Sequence, residues 1–438
     1  MNNLKQVVKK KILLSIILVI NCQTYPKNIE ILKPLPSNTS KSVRNGLDVL
    51  IEDYPNILKD KKVGLVTNHT GITKNLENNY KVFQMNPDIA LKKIFAPEHG
   101  FFGEASAGAK VNYKNKNFKK AEIVSLYGKN RKPTKNMLKG LDLIIYDIQD
   151  IGSRFYTYIS TLGIVIEAAA EQDIEIMILD RPNPISGQII EGAILDTSFK
   201  SFVGYYPIPI RYGLTVGELT NMAINENWLS PPPKKVTIVK MDGWRRSMFF
   251  DDTDLPWIPP SPNIPNLETA IIYPGMCLFE ATNLSEGRGT YKPFLQIGAP
   301  WIKKDLINQL KTLKLEGVII NFTKFSPKTI PGKALNPKFE NDTCYGSIFN
   351  ITEKHKYKAL ETALRKISII NENYNDKFNF NSNTLNKLYG NNSLTNYLNT
   401  LSQSNNLNKQ NALLDLLHKE GKALKRFSKK SLKYYLYN

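Results

Sequence analysis

Four short runs of apolar residues recur in the first half of the chain, and each run ends abruptly in polar residues. The runs lie within KKVGLVTNHTG (61–71), KKIFAPEHG (92–100), GLDLIIYDIQDIG (140–152) and IEIMILDRPNP (174–184). Continuous apolar runs of this length are typical of strands buried on both faces, as in a parallel sheet. An amphipathic helix with an alanine-rich centre is predicted over residues 157–172, between the third and fourth runs. Strand, helix and strand at this spacing form a βαβ unit, which predicts an α/β fold with a Rossmann-like parallel sheet.

The polar residues that follow these runs are predicted to meet at one edge of the sheet. They are Asn68 and His69, Glu98 and His99, Asp147, Gln149 and Asp150, and Asp180, Arg181 and Asn183. Pro97 cannot continue the hydrogen-bond ladder of a central strand, so the second run ends there. Because parallel strands place their carboxyl ends on one side, these residues are expected to line a ligand-binding cleft. The alternative for each residue alone is that it caps the following helix.

The second half of the chain has a different character. Stretches such as LPWIPPSPNIPN (255–266) and EATNLSEGRGT (280–290) combine proline or glycine with aromatic and polar residues. This composition predicts irregular but rigid loops. A further amphipathic helix is predicted over NALLDLLHKEGKALKRF (411–427). We therefore predict a Rossmann-like catalytic domain over 45–235 and a smaller α+β domain over 236–438 that completes the cleft.

The N-terminus has the pattern of an export signal. Four lysines precede the apolar run ILLSIILVI (12–20), which is too short to be a stable membrane anchor. Residues 1–22 are predicted to be a signal peptide of the lipoprotein type, with Cys22 as the acylated residue, and residues 23–44 are predicted to be a tether. The expected location is periplasmic or on the outer membrane, attached through a lipid anchor. The alternative is plain secretion with cleavage near this point.

Charge and cysteine content narrow the function classes. The net charge is +20, from 59 basic and 39 acidic residues, which favours anionic partners such as cell-wall polymers or lipid headgroups. No arginine-rich helix, aromatic-interleaved basic patch or zinc-finger spacing indicates nucleic-acid binding. No G-x-G-x-x-G, P-loop or G-x-S-x-G motif is present, so no cofactor is expected. Cys277 and Cys344 are interpreted as two buried free thiols, with a disulfide as the alternative.

Several longer motifs resemble one family. They are PEHGFFGE (97–104), SLYG (125–128), DIQDIGSRFYTYISTL (147–162), LDRPNPISG (179–187), GLTVGEL (213–219), PSPNIP (260–265), EATNLSEGRGT (280–290) and GAPW (298–301). In this order they resemble the bacterial exo-β-N-acetylmuramidases, formerly a domain of unknown function, from about residue 46 to the closing YYLYN. The resemblance implies a Rossmann-like domain, a smaller second domain and an active site between them. It also implies removal of terminal N-acetylmuramic acid from the non-reducing ends of peptidoglycan fragments. One departure is Tyr212, which stands where the family usually has His.

The resemblance places the catalytic acid at Glu98. Because Ala96, Pro97, Phe101 and Phe102 flank this glutamate, an apolar wall is expected to favour the protonated form that a general acid needs. Glycoside hydrolysis also needs a second group at the oxocarbenium-like carbon. Asp147, Asp150, Glu286 and the acetamido group of the substrate, oriented by Tyr156, all remain possible, so retention and inversion stay open.

Substrate recognition is expected to use arginine, because its planar fork reads a carboxylate such as that of the lactyl group of muramic acid. Arg154, Arg181 and Arg288 are the candidates, and Arg288 is favoured because two glycines flank it. Salt bridges from Arg154 to Asp150 and from Arg181 to Asp180 are the alternative. The candidate catalytic residues are Glu98, His99, Asp147 and Asp150, and the candidate substrate-binding residues are Asn68, His69, Gln149, Arg154, Tyr156, Asp180, Arg181, Asn183, Asn263, Glu286 and Arg288.

Two other function classes remain open at this stage. A metal-dependent hydrolase would use His69 and His99 with Asp147 or Asp180, although no H-x-x-x-H or H-E-x-x-H spacing supports it. A lipoprotein that binds peptidoglycan without cleaving it is the second alternative. The sequence does not determine the oligomeric state.

Overall fold

The computed structural model describes residues 28–36, 42–103, 121–128, 130–401 and 406–438, with side chains from residue 412 onward in the last segment. The predicted signal peptide and Cys22 lie outside the described residues, as do Glu104 and residues 23–27 and 37–41 of the predicted tether. Within the described residues, no helix is both long enough and apolar enough to cross a membrane.

The first half of the chain builds a seven-stranded sheet in which every strand pair is parallel. Its strands are β1 (Ile29–Leu32), β2 (Lys62–Thr67), β3 (Ala90–Ala96), β4 (Glu122–Ser125), β5 (Leu143–Asp147), β6 (Glu175–Leu179) and β7 (Val236–Val239). The spatial order is β1-β7-β6-β5-β2-β3-β4. The four apolar runs of the sequence are β2, β3, β5 and β6, so the Rossmann-like sheet is confirmed.

Helices cover both faces of this sheet. They are α1 (Gly46–Asp53), α2 (Asn79–Met85), α3 (Lys135–Leu138), α4 (Tyr158–Ala170) and α5 (Val216–Asn225). Along β5, Ile144 and Tyr146 join the core that contains α4 and α5, whereas Leu143 and Ile145 join the core that contains α1 and α2. Alternating residues of one strand thus enter two separate cores, which is why the runs carry no polar face.

The second half builds a smaller domain around an antiparallel sheet of order β8-β10-β9. Its strands are β8 (Gln296–Ala299), β9 (Val318–Phe325) and β10 (Cys344–Ile351), and its helices are α6 (Leu267–Met276), α7 (Asp305–Thr312), α8 (Ala359–Asn373), α9 (Ser382–Tyr389), α10 (Ser393–Leu401) and α11 (Asn406–Ser431). The prediction of a smaller α+β domain is confirmed. Cys277 and Cys344 are both buried and free.

The predicted domain boundaries are wrong at three places. Strand β7 lies beyond residue 235 but pairs with β6 in the large sheet, and β1 lies in the predicted tether but pairs with β7. The chain terminus also returns to the first domain, where the Tyr437 hydroxyl donates a hydrogen bond to Asp180 and the Arg246 amide donates one to the Asn438 carbonyl. Edge strands and terminal segments join a sheet through partners distant in sequence, which local patterns do not reveal.

Candidate active site

The cleft forms where the order of the large sheet reverses. From β2 the chain adds β3 and β4 on one side, and β5, β6 and β7 on the other, so the carboxyl ends of β2 and β5 flank the switch point. The Thr67 hydroxyl donates a hydrogen bond to the Asp147 carbonyl at 2.8 Å and so links the ends of these two strands. In open α/β sheets ligands bind outside this point. The prediction that these strand ends share one edge is therefore confirmed.

The loop after β3 carries Glu98 on a tight, glycine-dependent turn. His99 and Gly100 both have positive φ, +68° and +75°, and the Gly100 amide donates a hydrogen bond to the Pro97 carbonyl. At Gly103, φ is +70° and a Cβ atom would lie 2.1 Å from Cε1 of His69. Only glycine fits there, because the imidazole from the end of β2 lies against the backbone of this loop. Glu98 is half-buried, and His99 is buried at 8 % exposure.

The segment between β5 and α4 supplies the partners of Glu98. The Thr157 hydroxyl donates a hydrogen bond of 2.6 Å to Oε2 of Glu98. Thr157 is the N-cap residue of α4, yet its side chain makes no capping hydrogen bond to that helix. Its hydroxyl is thus committed to the carboxylate instead of to the helix end, where threonine usually serves.

Two tyrosines extend this polar cluster. Nδ2 of Asn68 donates to the Tyr158 hydroxyl at 2.9 Å, and the hydroxyl of Tyr156 lies beside those of Tyr158 and Ser261. Burial raises the pKa of both tyrosines. The carboxylate of Asp150 raises both pKa values further, and the carboxylate of Glu98 also raises the pKa of Tyr158. Tyr158 therefore lies within electrostatic reach of two carboxyl groups of the cleft.

The loop 255–266 of the proline-rich region forms the facing wall. Nε2 of His69 lies 2.8 Å from the Pro259 carbonyl, and the Tyr158 hydroxyl donates to the Pro260 carbonyl at 2.7 Å. Asn263 is buried and donates to the Lys333 carbonyl, which ties this loop to the next one. These bonds hold an irregular segment at a fixed position against the sheet edge.

The carboxylates at the sheet edge fall into two kinds. Asp147 is fully buried and saturated, because Arg181 contacts both of its oxygens at 2.6 and 3.1 Å and Asn79 donates to Oδ2 at 2.7 Å. Asp150 accepts hydrogen bonds at Oδ2 from the Tyr212 hydroxyl and the Gly152 amide. No described residue makes a well-formed hydrogen bond to its buried Oδ1. Burial raises the pKa of Asp150 to about 6, against the lowering effect of these hydrogen bonds and of the adjacent Ile151 amide.

Comparison with known proteins identifies the family. Residues 63–268 and 271–437 match the N-terminal and C-terminal regions, respectively, of the exo-beta-N-acetylmuramidase NamZ. The peptidoglycan beta-N-acetylmuramidase NamZ of Bacillus subtilis (strain 168) is 41 % identical over 397 residues, which are 90 % of this chain and 91 % of that protein. The chain belongs to the NamZ family of exo-β-N-acetylmuramidases.

Solved structures agree with this placement in the NamZ family. A DUF1343 family protein of Bacteroides fragilis NCTC 9343 shares 34 % identity with a TM-score of 0.80, covering 91 % of this chain and all of that one. A second DUF1343 protein of the same strain shares 32 % identity with a TM-score of 0.71, over 90 % of this chain and 99 % of that one. The protein is thus a glycoside hydrolase of the NamZ family, as its motifs predicted.

The three arginines proposed as carboxylate readers differ in exposure within this NamZ fold. Arg154 is fully buried and donates to the carbonyls of Ala193, Ile208 and Leu388, so its predicted salt bridge to Asp150 is not formed. This burial lowers the pKa of Arg154 to about 9. Its guanidinium joins the active-site segment to the end of α9 and is not exposed to solvent.

Arg181 and Arg288 are both ion-paired. Arg181 forms its salt bridge with Asp147 and not with the adjacent Asp180, the partner named in the alternative interpretation. The Arg288 side chain is 22 % exposed, with Nη2 2.6 Å from Glu280 and Nε 3.5 Å from Glu286. Burial opposes the charged form of Arg288, but these two carboxylates outweigh it and raise its pKa. It is the most exposed of the three arginines.

The remaining predicted site residues have structural partners. Gln149 donates to the carbonyls of Asp150 and Pro182, and Asn183 donates to the Leu214 carbonyl. Glu286 lies 3.0 Å from Nζ of Lys338. Asp180 accepts hydrogen bonds at both oxygens from four donors: the Thr215 and Tyr437 hydroxyls and the Gly217 and Arg181 amides. We interpret Asp180 as the residue that anchors the start of α5.

Thr157 and Tyr158 are the two cleft residues that sequence reasoning missed. Both lie in the motif around Tyr156, directly at the start of α4. Their position in FYTY, next to a predicted site tyrosine, was the available clue, but the partnership with Glu98 spans 59 residues of sequence. Within the described part of the chain, no cluster of three His, Cys, Asp or Glu side chains could hold a metal ion.

Proposed function

We propose that this protein is an exo-acting glycoside hydrolase that removes N-acetylmuramic acid from the non-reducing ends of peptidoglycan fragments. Membership of the NamZ family supports the reaction class. The observation that supports the assignment to this site is the position of Glu98. It is a half-buried carboxyl at the carboxyl edge of a parallel sheet, held by Thr157, whose neighbour Tyr158 contacts the loop 255–266.

Glu98 is proposed as the general acid. Hydrolysis breaks the bond between C1 of the sugar and the leaving oxygen; Glu98 gives its proton to that oxygen, and a water molecule supplies the hydroxyl that joins C1. The bond from Thr157 to Oε2 holds one carboxyl oxygen in place and so directs the other toward the substrate. Orientation of this kind is a large part of the efficiency of a general acid.

Recognition of the lactyl carboxylate is proposed for Arg288. Unlike Arg154 and Arg181, which are buried, Arg288 has 22 % of its side chain exposed. Glu280 and Glu286 orient its planar fork, and the ring of Phe294 lies 5.0 Å from its central carbon. A substrate carboxylate would add to this network at the exposed edge of the guanidinium.

Export and lipid anchoring are proposed from the N-terminal pattern of residues 1–22. Acylation of Cys22 would hold the enzyme at a membrane facing the cell wall, either in the periplasm or on the outer membrane. Full-length protein with Cys22→Ser should move from the membrane fraction to the soluble fraction, whereas the wild type should stay with the membranes. Equal distribution of both proteins would count against anchoring.

The function is tested with protein lacking residues 1–22. It is incubated with a chromogenic β-N-acetylmuraminide, with the matching N-acetylglucosaminide and, in parallel, as the Glu98→Gln variant. Release from the muraminide alone, lost in Glu98→Gln, is the expected result. Wild-type protein that binds the sugar but releases nothing would favour a non-catalytic wall-binding protein, and activity lost in chelator would favour a metal-dependent hydrolase.

A further inference from the structure

One carboxylate at the cleft is buried without full compensation. Asp147 is paired with Arg181, and Glu286 with Lys338 and Arg288. Asp150 makes no ion pair with any described residue, and no described donor makes a well-formed hydrogen bond to its buried Oδ1, although the adjacent Ile151 amide lies close enough to favour the charged form. A buried, uncompensated charge lowers the stability of the folded protein, so stability does not explain why an aspartate occupies this position, and a functional role does.

Asp150 lies on the segment between β5 and α4, whose last residue, Thr157, holds Glu98. It acts electrostatically on Tyr156 and Tyr158, and Tyr158 in turn lies near Glu98. By contrast, Asp180 is equally buried, but four donors satisfy both of its oxygens at the start of α5. Asp147 and Asp180 are therefore saturated, whereas Asp150 keeps one oxygen without a well-formed hydrogen bond.

We propose that Asp150 is the second functional carboxylate of the reaction, whose negative charge stabilises the oxocarbenium-like transition state, and that Tyr212 is the residue that positions it. The inference rests on the proposed function and assigns the group that the sequence left open. Asp150 forms no bond to the sugar in this role. Its charge acts through the low-dielectric wall on the positive charge that develops at C1 as the leaving oxygen departs with the proton of Glu98.

Tyr212 suits a positioning role because its hydroxyl holds Oδ2 while leaving Oδ1 without a well-formed hydrogen bond. The Gly152 amide fixes the same oxygen at 2.7 Å. The other titratable groups that face Asp150 are Tyr146, Tyr156 and Tyr158, whose pKa values burial raises, so they stay neutral over the working pH range. Of Asp150 and these three tyrosines, Asp150 is the group that changes charge near neutrality.

The test is the pH profile of kcat/KM on the chromogenic muraminide. The ionised form of Asp150 should set the acid limb of this profile. In Tyr212→Phe the carboxylate loses a donor that favours its charged form, so the acid limb should move up by about one pH unit while the alkaline limb stays. Asp150→Asn should lower kcat by about 100-fold or more with little change in KM. Tyr212→His, which restores a donor, should return the acid limb to the wild-type pH or below.

Tyr437→Phe is the matched control. It also removes a tyrosine hydroxyl from a buried aspartate, Asp180, whose pKa burial likewise raises to about 6. This variant should lose stability without moving the acid limb. If wild-type protein is active but Tyr212→Phe moves the limb no more than Tyr437→Phe, the positioning role is overturned. If Asp150→Asn keeps wild-type kcat, the carboxylate role is overturned, whereas a wild type that releases no sugar overturns the proposed function itself.

Discussion

Replacing Asp150 with asparagine should make the stability of the protein less dependent on pH. The folded protein holds the Asp150 proton with a pKa of about 6, against an ordinary value of 3.8, because the carboxyl is buried. A folded pKa that is raised means that stability is fully present below the unfolded pKa and is lost as pH rises through the folded one. The difference corresponds to about 3 kcal/mol, at 1.36 kcal/mol per factor of ten.

Asp150→Asn removes the loss of stability that the wild type suffers as pH rises, but it has a cost of its own. Its amide N–H₂ group would occupy the position of Oδ1, where no described residue offers an acceptor, which costs about 1 to 3 kcal/mol at every pH. Asp150→Asn should therefore be less stable than wild type near pH 4 and as stable or more stable at pH 8. Between these pH values, the difference in free energy of unfolding should change by about 2 to 3 kcal/mol in favour of the variant.

Urea unfolding followed by circular dichroism at five pH values from 4 to 8 measures this difference. Asp196→Asn is a suitable control, because hydrogen bonds from the Ser198 amide and hydroxyl lower the pKa of that exposed aspartate. Because the folded pKa of Asp196 lies below 3.8, the stability difference for Asp196→Asn should stay nearly flat from pH 4 to 8, and its change, of opposite sign, should occur only at lower pH. A stability difference for Asp150→Asn that stays flat from pH 4 to 8 would refute the assignment of a buried, uncompensated charge.

Three further outcomes follow from contacts in the cleft. Thr157→Val should lower kcat about tenfold through Glu98 with little change in melting temperature, because the hydroxyl does not cap α4; equal loss of both quantities would contradict this. Arg288→Ala should weaken cleavage of the muraminide far more than it lowers the melting temperature. The control Arg365→Ala removes an ion-paired arginine on α8 and should change neither quantity much. Parallel losses of activity and melting temperature in Arg288→Ala would argue for a purely structural arginine. Gly103→Ala should destabilise the protein by more than about 1 kcal/mol in urea unfolding, since φ is positive and the new methyl group meets an imidazole; an unchanged midpoint would show that the loop can shift.

The carboxyl edge of the parallel sheet could be predicted from the sequence because local sequence patterns determine where each strand ends. An apolar run long enough to be buried on both faces predicts a parallel strand, and a proline or polar cluster after it marks the strand end. Parallel strands then bring Asn68, Glu98 and Asp150 to one side, whatever the details of packing. The family motif PEHGFFGE (97–104) directly follows the strand that ends at Ala96, so it also places Glu98 at this edge.

The roles of individual side chains at that edge were decided by tertiary structure. Arg181 pairs with Asp147, 34 residues away, and not with its neighbour Asp180. Arg154 binds Leu388 across 234 residues, and Asp150 meets Tyr212 across 62. Charge and residue type at a strand end determine which partners are chemically suitable, but only the packed chain determines which of them arrive. A carboxylate left without a cation is visible only after all the other pairs have formed, and for this reason the sequence alone could not separate Asp150 from Asp147.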